Sequence, residues 1–131
     1  MGTAGGFTSI LHITGTGADC CKPGDRVPAV YFWSNTNKLH ICFPVDDRGN
    51  QCVNKGIPKD KTAMVTIEQR SVQGTYKTIV SIDGAIIDTK THTKEPMEYT
   101  SAKVYASDPW KPAALAEVKN FQFKNLGKCY R

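Results

Sequence analysis

Long apolar runs are missing from this sequence. The longest, Val27 to Trp33, contains Pro28 and falls far short of the roughly 20 residues that a membrane-spanning helix needs. Membrane insertion is therefore not expected. Met1 to Gly6 lacks the basic and apolar pattern of a signal peptide, and Gly6 spoils the myristoylation motif. The same start fits a mature or excised domain. Catalytic signatures are missing too. His12, His40 and His92 are isolated, with no His-Glu-x-x-His pattern and no nucleophile elbow. The 12 acidic residues form no pair whose spacing specifies a glycosidase, so an enzyme is not expected. No Cys-x-x-Cys occurs and no histidine has a ligand's sequence spacing from a cysteine, which argues against zinc. Concentrated charge is also lacking. The 17 Lys and Arg exceed the acids by 5, but they are scattered, with a mild cluster at Lys119, Lys124, Lys128 and Arg131. Such a surplus is a solvated surface that suits sulfated or sialylated glycans rather than nucleic acid. A single-stranded nucleic-acid binder stays in view only through this charge. It would want aromatics interleaved with cations on one face, and Tyr76–Lys77 and Tyr105–Lys103 are separated or solitary.

What is present is a strand pattern. The chain has 131 residues, 40% hydrophobic and 22% charged, with 11 Gly and 7 Pro. That fits one soluble domain over 1–131, with its core in about 7–124 and a short tail carrying Cys129, able to bury roughly two-thirds of its unfolded surface. Period-two alternation recurs. Phe7, Ser9, Leu11 and Ile13 share a face opposite Thr8, His12 and Thr14. Val27, Ala29, Tyr31 and Trp33 oppose Val30 and Phe32, so both faces of that strand are apolar. Leu39, Ile41 and Phe43 oppose Lys38, His40 and Cys42. Ala63, Val65 and Ile67 lead a fourth strand, and Tyr76, Thr78, Val80 and Ile82 a fifth. Asp83-Gly84 supplies a type I′ hairpin signal, because both residues tolerate positive φ. A late strand covers Ala102, Val104 and Ala106. Pro112 to Asn120 reads as helix or strand; the strand, running on to Phe123, is preferred and needs a bulge near Lys119-Asn120. Eight or nine short strands predict an all-β, two-sheet antiparallel sandwich.

Five cysteines carry the compartment. Cys42 and Cys52 bracket a turn-rich insert, Phe43 to Gln51. With Leu39, Ile41 and Phe43 in the core, Cys42 turns outward, where a bridge to Cys52 forms. A second bridge joins Cys20 or Cys21 to Cys129; adjacent cysteines give no basis for choosing, although Cys20 is taken here. This is the oxidised framework of a secreted or extracellular domain, against a cytosolic protein with free thiols. The odd cysteine offers a route to an oligomer.

The run Gly24-Asp25-Arg26-Val27-Pro28-Ala29-Val30, then Lys38 to Cys42, Met64 to Gln69, Tyr76 to Gly84, Val104 to Trp110 and Glu117 to Phe123, resembles the concanavalin A-like, laminin-G-like jelly-roll domains of animal extracellular proteins. The likeness spans roughly residues 7 to 124 and rests on strand order and spacing. It implies a non-catalytic module that binds glycans or proteins, sometimes through calcium. The sequence departs from the galectin branch: His40 is followed by Ile-Cys-Phe and Trp110 by Lys-Pro-Ala-Ala, so neither its His-x-Asn-Pro-Arg strand nor its Trp-x-x-Glu-x-Arg segment is present, and galactose specificity is not carried over.

The expected site lies where the loops Gly15 to Gly24 and Ser107 to Ala114 meet, if the first and last strands pair antiparallel. Pro109 and Pro112 stiffen the path around Trp110, which can stack on a sugar ring. Asp108 and Asp25 accept from hydroxyls, and Arg26 donates two parallel bonds to a carboxylate or sulfate. The candidate ligand site is thus Trp110, Asp108, Asp25 and Arg26. Asp19, Asp25 and Asp108 are candidate calcium ligands. The competing reading has Trp110 plugging the core, Asp25 paired with Arg26 and Asp108 opening an Asp-Pro turn. Trp33 is read as core, and Asp46 to Asn50 as an exposed turn with the wrong acid spacing for an EF-hand. Together these features predict an extracellular carbohydrate-binding, lectin-like or adhesion module with a glycan or glycoprotein ligand. The alternative is a protein–protein recognition domain of a larger secreted or receptor protein, without a sugar site.

Overall fold

Two hairpin turns show how local sequence sets strand register. At Asp83-Gly84 the φ angles are 52° and 84°, and at Gln73-Gly74 they are 53° and 78°. Both are two-residue turns with positive φ at each centre, whose twist matches that of the strands they join. They connect β5 (Val65–Val72), β6 (Thr75–Ile82) and β7 (Ala85–His92) into a three-stranded antiparallel sheet with β6 in the middle. The structure, a computed structural model, describes residues 6–14, 26–46, 50–93, 103–107 and 112–122.

The second sheet has five strands: β1 (Phe7–Thr14), β2 (Ala29–Trp33), β3 (Lys38–Pro44), β4 (Asn50–Gly56) and β8 (Lys103–Ala106). Their order is β4-β3-β2-β1-β8, antiparallel throughout, and neither sheet closes into a barrel. Among the described residues there is no helix. The chain is all-β and sandwich-like. Val30, Leu39, Ile41 and Phe43 from the first sheet meet Val80 and Ile82 from the second, with Val45 closing one end. Val65 and Ile67 of β5 flank this cluster, as their alternation predicted. Each fully buried side chain of the central cluster contributes about 1.5–3 kcal/mol through removal from water.

Three expectations are corrected. Ile10 is an extra residue between Ser9, opposite Tyr31, and Leu11, opposite Val30. This bulge reverses the parity of β1, so Phe7 and Ser9 share a face with His12 rather than with Leu11, and Ile10 and Leu11 both reach the inter-sheet core. A terminal strand from Glu117 does not form within the described residues. The free edge of β1 is already used: Ser107 N donates to Ile10 O, then Ser9 pairs with Pro112 O and Ala114 N around a bridge to Ala113. Residues after that stay mostly exposed. Finally, Trp33 lies outside the inter-sheet core, on the opposite face of its sheet.

Candidate functional site

That opposite face is not a simple solvated surface. Cross-strand register lines its residues into rows: Ser9, Tyr31, His40 and Asn54 in one, His12, Ala29, Cys42 and Cys52 in the next. Ser9, His12, Tyr31, His40 and Cys42 are all buried. Because β2 is apolar on both faces, Tyr31 gives this side a small core of its own with Ala29, Cys42 and Phe7.

The aromatic groups interlock. Phe7 stacks on His40 with centroids 4.5 Å apart and planes within 10°, and on Tyr31 at 5.4 Å. Trp33 meets Phe7 edge-on at 4.5 Å and lies 4.8 Å from His40. The Arg26 guanidinium sits 5.6 Å from the centre of the Tyr31 ring, a cation–π arrangement. One oxygen organises the polar end. Asn54 Oδ1 accepts from Trp33 Nε1 at 2.8 Å and lies 2.6 Å from His40 Nδ1. The indole only donates, so this amide atom is the oxygen, and the His40 proton must therefore be on Nδ1. Nε2 carries the lone pair. Burial pushes the His40 pKa down; the Asn54 bond opposes that shift and the Arg26 charge reinforces it.

Beside this cluster an open cleft of ≈ 360 Å³ is lined by Gly6, Trp33, Ser34, Thr36, Lys38 and Asn54. The β2–β3 turn shapes its floor. Asn35 takes a left-handed φ of 61°, and Thr36 Oγ1 donates to Trp33 O while accepting from Lys38 N. The turn thus brings an aromatic residue, two hydroxyl residues and a lysine to the lining of one cleft. Lys38 makes no ion pair among the described residues. An apolar ring face next to a few fixed polar groups is the chemistry that orders a polyhydroxylated ligand.

A second polar cluster joins the ends of β3 and β7. Asp46 accepts from Thr93 N at 2.9 Å and Thr93 Oγ1 at 2.7 Å, and its Oδ1 lies 4.0 Å from His92 Nδ1. His92 Nε2 is 2.6 Å from Thr78 Oγ1. Hydroxyl, imidazole and carboxylate thus stand in the order of a nucleophilic triad. Thr78 is only 4% exposed and His92 6%, which leaves no room for a substrate at the hydroxyl. The row ties the two sheets together. Burial lowers the His92 pKa, with Asp46 opposing. Asp46 is therefore a structural acceptor rather than part of an idle turn.

Cys42 and Cys52 are directly opposite each other, with Cα atoms 4.2 Å apart, and are joined as a disulfide. This bridge was expected. Its surroundings were not, because Cys42 is fully buried on the outward-turned face. Donor atoms of His40, Cys42 and Cys52 all fall within 4.8 Å of one another, a grouping that sequence spacing had argued against. Of the expected ligand residues only Arg26 can be placed, over Tyr31; Trp110, Asp108, Asp25, Asp19, Cys20 and Cys129 lie outside the described residues. The Trp33–Asn54 cleft was missed because alternation with Tyr31 made Trp33 look like core. The signal that could have exposed it was the apolar character of both faces of β2, which demands a second covered surface. No helix among the described residues is long and apolar enough to cross a membrane. No known protein family, curated protein or solved structure matches this chain.

Proposed function

We propose that the protein is a non-catalytic extracellular carbohydrate-binding or adhesion module, built on a jelly-roll sandwich of the concanavalin A-like kind. The observation that carries this reading is the cleft in which the Trp33 ring stands beside Asn54, Lys38 and the Thr36 and Ser34 hydroxyl residues. Trp33 supplies a stacking surface for the apolar face of a sugar ring. Lys38 gives that surface a preference for anionic glycans, in keeping with the net charge of +5. The disulfide Cys42–Cys52 fits an oxidising compartment. Asp19, Asp25 and Asp108 remain the proposed calcium ligands, and Trp110, Asp108, Asp25 and Arg26 a proposed ligand site.

A glycan array probed in calcium and in EDTA tests the reading. Wild-type protein binds a coherent family of sugars, and Trp33→Ala loses at least tenfold in affinity while keeping its fold by circular dichroism. Silence in both buffers refutes a sugar site. A second reading, a protein–protein recognition domain, is favoured by one observation. Leu115, Val118 and Phe121 are large apolar side chains left exposed along the segment 112–122. An array that stays silent while Phe121→Ser abolishes a measured protein association would select it.

A further inference from the structure

The cluster of His40, Cys42 and Cys52 has the makings of a second site, independent of whatever occupies the cleft. We propose that reduction of the Cys42–Cys52 bridge opens a metal site in which His40, Cys42 and Cys52 hold one thiolate-seeking divalent cation of the zinc type. The register creates it. His40 and Cys42 are two residues apart on β3 and share a face, and Cys52 is the cross-strand partner of Cys42. One donor atom from each already lies within 4.8 Å of the other two. A tetrahedral zinc centre, with Zn–S near 2.3 Å and Zn–N near 2.0 Å, needs donors roughly 3.5–3.8 Å apart. Side-chain rotation after cleavage of the S–S bond spans that difference while the strands stay paired.

Four further features suit a metal. The bond to Asn54 holds the His40 proton on Nδ1, which leaves Nε2 as the lone-pair nitrogen and makes Asn54 the orienting partner that metal-bound imidazoles commonly have. Two thiolates cancel the charge of a divalent ion, so the neutral centre can reside where Cys42 and His40 are buried. Opposite Cys42 on β2 stands Ala29, a small side chain without a competing donor. Access comes from β4, an edge strand, where Cys52 is not buried. Three protein donors leave a fourth position, which falls to solvent at that edge.

The redox step needs a two-electron reductant. A dithiol supplies two electrons and two protons to the S–S bond, giving two cysteine thiols and its own disulfide. In the test a phosphine takes that role: it becomes a phosphine oxide with the oxygen of one water, whose two hydrogens end on the Cys42 and Cys52 sulfurs. Metal binding then releases both thiol protons to solvent.

Cobalt(II) is titrated into the full chain before and after phosphine reduction, with absorbance recording thiolate-to-cobalt charge transfer and the intense bands of tetrahedral cobalt. Reduced wild type is expected to reach an end point at one equivalent, with the bands bleached by added zinc, and oxidised protein to give none. Cys52→Ser at the exposed edge abolishes the bands, and His40→Gln weakens cobalt binding at least tenfold, circular dichroism showing each variant folded. Bands that persist unchanged in Cys52→Ser place the metal on Cys20, Cys21 or Cys129 and overturn the proposal. Absence of bands in the reduced wild type overturns it equally.

Discussion

Cutting the β3–β4 cross-link gives the most direct measure of what the disulfide contributes. Cys52→Ala is the preferred perturbation, because Cys42 is fully buried among Ala29, Tyr31 and Phe7 and replacing it would add a cavity to the loss of the bond. The bridge spans a sequence separation of 10. On the chain-entropy relation, a loop of that size restricts the unfolded ensemble by about 2.7 kcal/mol at room temperature. For a chain of this length that corresponds to a fall in melting temperature of roughly 10 °C. Urea unfolding under non-reducing conditions provides the assay. The midpoint should fall and the m-value rise, since an unfolded chain without the cross-link exposes more surface. Phe43 pairs with Gln51 and Pro44 with Asn50, so native strand contacts survive the change. An unfolding free energy within about 0.5 kcal/mol of wild type, at unchanged m, would refute the reasoning. It would mean that the bridge does not restrict the unfolded chain.

Two further outcomes follow from local structure. His40 and His92 both have depressed pKa values, burial being the main cause. Each is more easily protonated in the unfolded chain, so their stabilising contribution is full above the ordinary value of 6.5 and is lost as pH falls from there through the folded values. Melting temperature should decline over that window and decline less in His92→Gln; identical slopes would remove His92 from the account. At the β6–β7 turn Gly84 has a φ of 84° and nothing within 4 Å of an added Cβ. Gly84→Ala should therefore cost roughly 1–2 kcal/mol through backbone conformation alone. Gly56→Ala, equally uncrowded and without positive φ, should leave the urea midpoint nearly unchanged.

Much of the architecture was legible because strand alternation and turn chemistry are local. Leu39, Ile41 and Phe43 announced the buried face of β3, Val65 and Ile67 that of β5, and Asp83-Gly84 the hairpin between β6 and β7. The Cys42–Cys52 pair was legible for the same reason, since a short insert between alternating segments implies facing strands. Local pattern alone misplaced β1. A bulge adds one residue without leaving a signature in composition, and Ile10 moved Phe7 and Ser9 to the side that His12 occupies. The edge of β1 was also beyond reach. β8 and the segment around Ala113 take its hydrogen-bonding positions, whereas from Pro112 onward the sequence reads as helix or strand with the strand preferred, and local pattern does not reveal that the edge is already taken. The site was decided at the same level. His40 and Asn54 are 14 residues apart and Asp46 and Thr93 are 47 apart, and only strand register and sheet packing brought each pair within hydrogen-bond range. Period two tells which side of a strand a residue occupies. Which residues share that side as neighbours depends on pairing across strands, and pairing is a property of the folded sheet.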